Sequence, residues 1–164
     1  MKEFKLYIVV ALLTTVNGCS RVPGSLNING EDIACAAEQY EGSTDWAYDK
    51  RKDNFPARTW KCNKFVHDVL EETGAGAPSY GAWPIVAADW ANPNYHIPGW
   101  KHMGCGVARQ RGDVIAVKRT SDNASGHCAI SVSDTLVMGA SQYSVTRGTH
   151  GLGSDAAIRR YTGW

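Results

Sequence analysis

From Val114 onward the chain alternates short β-type runs with connections too brief to carry a crossover, and this limits the fold more than any other feature. The runs "VIAVKR" (114–119), "HCAISV" (127–132) and "TLVMGASQYSV" (135–145) are separated by the polar loop "TSDNASG" and by a Ser133–Asp134 turn. Parallel neighbours need a connection of a dozen or more residues, so these runs are expected to pair as an antiparallel meander. Upstream the periodicity is helical. Ile33, Ala36, Ala37 and Tyr40 fall at i, i+3, i+4 and i+7, predicting a first helix with that stripe on the core and Cys35 off it. From Cys62, the residues Phe65, Val66, Val69 and Leu70 repeat with the same period while Lys64, Asp68, Glu71 and Glu72 take the other face, and Gly74 closes the segment. Residues 21–30 read as a surface lead-in and residues 41–60 as an irregular aromatic loop. Residues 74–106 hold four of the six prolines and three of the six tryptophans, which predicts a long ordered loop with one short helix near Ile85 to Trp90. Helices first and strands after make the fold class α+β, with N-terminal helices packed on an antiparallel sheet.

The 164 residues, 43% of them hydrophobic, suit one domain with a real core. Lys2 and Lys5 precede an apolar run from Leu6 to Leu13, too short to span a bilayer, and small residues follow. This predicts a signal peptide over residues 1–20, a domain over 21–164 and a secreted protein. Val16-Asn17-Gly18-Cys19 also resembles a lipobox, so a bacterial lipoprotein anchored at Cys19 is the second reading. Without Lys2, Glu3 and Lys5 the chain carries 15 basic and 15 acidic residues and no basic run, which argues against nucleic acid as a partner. No stable membrane association is expected once the leader is gone, and the chain is expected to be a monomer.

Cysteines stand at 19, 35, 62, 105 and 128. In an oxidising compartment they are expected to pair. If Cys19 is removed or lipidated, the remaining four allow two bridges; if Cys62 is a working thiol, only one pair forms. Cys35 with Cys105 is then expected, because Cys128 lies inside a strand pattern. No C-x-x-C pair or repeated histidine spacing points to zinc, and no metal or cofactor is implied. Asn123-Ala124-Ser125 is a glycosylation sequon for a eukaryotic host only.

Chemistry centres on two residues. Cys62 opens a helix, where unsatisfied N–H groups and the macrodipole favour a thiolate and can hold an oxyanion. His127 begins a strand. Alternation puts it on a face with the small Ala129 and Ser131, which suggests that the helix packs there, while the bulky face of Cys128, Ile130 and Val132 joins a core. An imidazole beside the thiol would serve as general base and then acid. Taken singly, Cys62 reads as a buried small residue or disulfide half and His127 as structural. His67, His96, His102 and His150 read as solvated surface, and Asp113 as the residue that fixes the turn into a strand. Among the tryptophans at 60, 83, 90 and 100, Trp60 is the candidate substrate contact because it lies next to the thiol.

Together, "KCNKFVHDVL", "RGDVIAV" and "SGHCAISV" resemble the cysteine–histidine core of NlpC-type and CHAP-type cell-wall amidases, which have a papain-like fold. "WPIVAADWANP" and "MGASQYSV" look closer to type VI secretion amidase effectors and their secreted eukaryotic relatives. The resemblance spans about Cys62 to Val145. It implies hydrolysis of stem-peptide amide bonds in peptidoglycan, with Cys62 as nucleophile and His127 as base. It favours the D,D cross-link over the D-Glu to diamino acid bond, and it brings bacterial peptidoglycan as substrate and an immunity or inhibitor protein as a further partner. For the orienting third group, a tight turn at Ser133–Asp134 would set Ala140 and Ser141 beside His127. Ser141 is the candidate there, or a backbone carbonyl, while Asp134 lies at the far hairpin end. Two rivals share the residues: a papain-like protease or transglutaminase-like enzyme on protein, and an inactive wall-binding module.

Overall fold

The computed structural model describes residues 27–104, 106–121 and 124–163. The expected leader, Cys19, Cys105 and the Asn123 sequon lie outside the described residues. Helix α1 (Gly30–Glu38) starts in a capping box: the Asn29 side chain accepts from the Glu31 and Asp32 N–H groups, and the Asp32 carboxylate accepts from the Asn29 N–H. Helix α2 (Cys62–Thr73) runs as its periodicity predicts and ends at Gly74, whose φ of 76° closes the last turn in the left-handed region. Phe65, Val66, Val69 and Leu70 are all buried. The stretch expected as one long loop also holds a small hairpin, β1 (Ser79–Tyr80) with β2 (Trp83–Pro84), then α3 (Ala87–Ala91) and β3 (Trp100–Met103).

The remaining strands are β4 (Val114–Ser121), β5 (Ala124–Ser131), β6 (Val137–Ala140), β7 (Val145–Gly148) and β8 (Ala157–Tyr161). They join β3 in a six-stranded antiparallel sheet of order β3-β8-β4-β5-β6-β7. The chain is α+β, with its helices on one face of this sheet. The meander expected from the sequence is β4 to β7, with two corrections. The stretch "TSDNASG", expected as a polar loop, belongs mostly to the strands, since β4 runs to Ser121 and β5 starts at Ala124. "TLVMGASQYSV" is two strands, because Ser141 bonds the Ser144 carbonyl through both its N–H and its hydroxyl and turns the chain.

The face assignment is also corrected. The helices pack on the side of Val114, Ala116, Cys128, Ile130 and Met138, not on that of His127 and Ala129. The bulky side chains of α2 need equally bulky partners to fill space at core density. The small face instead receives the return segment after β7, where Leu152 packs on Ile115, Val117, Ala129, Val137 and Ile158. Cys35, expected off the helical stripe, is buried and disulfide-bonded, and its partner lies outside the described residues. Its face is covered because Arg111 reaches across α1, pairing with Glu31 at 2.8 Å and Glu38 at 2.9 Å and donating to the Val132 carbonyl. Asp113 fixes the turn into β4 as expected: it accepts from the Gln110 N–H and pairs with Arg160, both at 2.8 Å.

Candidate active site

Two backbone features bring the thiol to the sheet. First, Lys61, the N-cap residue of α2, gives the first turn no side-chain cap. Its own side chain is buried and turns back to donate to the carbonyls of Ala47 (3.1 Å), Tyr48 (3.4 Å) and Thr59 (2.9 Å). The first N–H groups of α2 therefore stay available for a developing negative charge. Burial pushes the Lys61 ammonium below its ordinary value, and the three carbonyls replace the lost water. Second, β5 and β6 pair only at Ile130–Met138 and Ser131–Val137. His127 and Cys128 thus lie past the end of that ladder. The Cys128 N–H, with no place in it, is among the groups that lower the Cys62 thiol.

Cys62 is 8% exposed and free of any disulfide. Its thiol is held well below its ordinary value, first by the hydrogen bond from the Cys128 thiol, against the opposing effect of burial, and then by a hydrogen bond and charge from His127. Cys128, also free and fully buried, is pushed the other way by the neighbouring Cys62 and by burial. The two neighbouring sulfurs are thus pushed in opposite directions, Cys62 down and Cys128 up.

His127 continues into a relay. Its Nε2 meets Nδ1 of His150 at 3.2 Å, with ring centroids 5.3 Å apart and planes within 3°. Parallel rings whose nearest nitrogens are that much closer than their centroids lie edge to edge in a common plane, along the direction of an imidazole N–H and lone pair. Nε2 of His150 faces the Thr146 carbonyl at 2.9 Å and the Thr146 hydroxyl at 3.2 Å. A carbonyl only accepts, so His150 carries its proton on Nε2 and offers the Nδ1 lone pair. His127 then donates from Nε2, which leaves its Nδ1 for Cys62. Burial, the leading cause, lowers His150 from its ordinary value, which disfavours its charged form.

His150 was expected on the solvated surface and is instead half-buried, because Gly139 of β6 makes room for it. A Cβ there would sit 2.9 Å from Ala129 Cβ and 3.3 Å from His150 Nδ1. Ser141, the sequence candidate for the third group, lines the same pocket, but its hydroxyl is committed to Ser144. The signal missed is a lone histidine in "GTHGLG", 23 residues from its partner. Of the other histidines, His96 is exposed, while His67 and His102 are half-buried.

Cys62, His127 and His150 open into a pocket of about 350 Å³, with Trp60 and Arg119 among its lining residues. Trp60 is 41% exposed and leans on Tyr48 at 4.9 Å, so the indole is available to a ligand. Trp90 and Trp100 are core residues packed edge to face, and Trp83 is exposed against Phe55. Among the described residues no group of three histidine, cysteine or acidic side chains could hold a metal ion.

No family model matches the sequence, and no curated protein matches it. Among solved structures, the chain is similar to one in the crystal structure of the type VI native effector–immunity complex Tae3-Tai3 from Ralstonia pickettii. The identity is 19% and the TM-score 0.47, over 82% of this chain and all of that one.

Proposed function

We propose that this domain is a secreted antibacterial cysteine amidase that hydrolyses stem-peptide amide bonds of peptidoglycan. The observation that carries the hydrolase reading is the convergence of a lowered thiol at a helix start with a tautomer-fixed His127–His150 pair at one pocket. The peptidoglycan substrate, preferentially the D,D cross-link, rests on the motif resemblance, as does an immunity or inhibitor protein as partner, whereas export rests on the leader pattern of residues 1–20.

In this reading the Cys62 thiolate attacks the scissile carbonyl carbon, and the oxyanion forms against the free N–H groups at the start of α2. His127 passes its Nδ1 proton to the departing amine, which leaves Cys62 as a thioester. Water, deprotonated by the same nitrogen, then attacks the thioester. A carboxylic acid leaves, and the thiolate–imidazolium pair returns. His150 touches no substrate; it positions His127 and fixes its tautomer.

The test is mass spectrometry of muropeptides after digestion by the wild type and by Cys62→Ala, with casein offered in parallel. New amine and carboxylate ends in muropeptides with the wild type alone are expected. Cleavage of casein only would favour a protease, and identical digests from the two proteins would overturn a cysteine mechanism.

A further inference from the structure

Arg119 lines the pocket and is the one cation among its lining residues apart from the histidines, with no acidic side chain among the described residues that line it. The β4–β5 register shifts between Lys118 and Ser121, an irregularity that re-aims the side chains next to it. The guanidinium is then anchored at one corner. Nη2 donates to the Gly151 carbonyl at 2.7 Å, on the turn that carries His150. Gly151, at φ 64°, leaves the surface bare beneath it: a Cβ there would be 3.2 Å from that nitrogen. Nε and Nη1 have no partner among the described residues.

Arg111, Arg147 and Arg160 are each closed by carboxylates, and Arg159 by the carbonyls of Trp90, Asn92 and Tyr95. Arg109 is held much as Arg119 is, by Nη2 on the carbonyls of Leu152 and Gly153, but it does not line the thiol pocket. Nor does Arg119 serve the thiolate, which is held by Cys128 and His127. The Gly151 bond takes one Nη2 hydrogen, and the second Nη2–H can pair with Nε–H or with Nη1–H to form the planar fork that matches a carboxylate beside the nucleophile.

We infer that Arg119 is a carboxylate subsite, which binds a free carboxylate flanking the scissile amide of the stem peptide. This rests on the amidase reading and specifies its substrate: peptides whose flanking carboxylates are free, over the same peptides amidated. A charge-assisted bond of this kind supports a preference of about tenfold or more.

The experiment uses one synthetic muropeptide in two forms, flanking carboxylates free or amidated. Affinity for each is measured on Cys62→Ala, which binds without turnover, and on Cys62→Ala with Arg119→Gln. Turnover is measured on the wild type, Arg119→Gln and Arg119→Lys. The free acid is expected to bind Cys62→Ala at least tenfold tighter than the amide. Arg119→Gln should bring the acid down to the level of the amide through KM, with Arg119→Lys between. Equal affinity of Cys62→Ala for acid and amide, no binding of either, or an Arg119→Gln loss equal on both forms overturns the inference. Failure of the amidase reading looks different: the wild type cleaves neither form, whatever the binding contrast shows.

Discussion

Replacing Cys128 by alanine should cripple the reactivity of a sulfur that alanine never touches chemically. The Cys128 thiol is the foremost group holding Cys62 as an anion, and Cys128 is fully buried, so no water takes over its bond. A hydrogen bond to a charged partner is worth about 1.5–3 kcal/mol, and a thiol is a weak donor, which sets the expectation at about 1.5 kcal/mol. That is about a tenfold smaller thiolate fraction wherever the neutral thiol predominates. The readout is the rate of iodoacetamide labelling at Cys62, followed by peptide mass spectrometry as a function of pH. In Cys128→Ala the rate should fall about tenfold on the acid side, and the midpoint of the curve should move to higher pH. Cys128→Ser restores an O–H donor of similar size and should keep the rate near the wild type. The backbone N–H bond survives in both, so the difference isolates the side chain. A Cys128→Ala curve superimposable on the wild type, or a serine variant as slow as alanine, would refute this account of the thiolate.

His150→Ala should lower kcat by about a hundredfold with KM within a few-fold, because it frees the tautomer of His127 without touching the pocket's substrate contacts; His150→Asn, which keeps an acceptor, should recover part of the rate. A kcat within twofold of wild type in the alanine variant would remove His150 from the relay. The Glu38 carboxyl is held below its ordinary 4.5, first by the hydrogen bond from Arg111 and also by Arg147. A depressed carboxyl contributes stability that is fully present above its unfolded value and is lost as pH falls through its lower folded value. Glu38→Gln should therefore cost about 2 kcal/mol at pH 7 and flatten the acid limb of a denaturation series below about pH 4.5, whereas an unchanged acid limb would show the pair to be idle.

The parts of this fold that were readable had strong local periods. The whole of α2, from Cys62 to its glycine stop, follows from spacing alone, and so do the runs that became β4 and β5. β8 carried no such mark. "AIRRY" looks like polar surface because Arg159 is a core residue whose charge is met by three carbonyls from a segment nearly seventy positions away. β3 failed for a related reason, since "WKHM" sits between glycines and mixes a buried indole with polar neighbours. At the site, Cys62 was legible because it opens a helix, and His127 because it heads the apolar run of β5, although that strand starts three residues earlier, at Ala124. His150 and Arg119 were not. Each takes its place from a contact across the sheet, and nothing in the residues adjoining them encodes it.

Gly139 gives the histidine pair its footing by contributing nothing. Anyone moving this chemistry onto another antiparallel scaffold would have to transplant a vacancy along with the sulfur and the two rings. A sheet decorated with the right three residues but a methyl at that spot would hold the second imidazole off its partner. The part of the design hardest to find by matching side chains is the place where there is none.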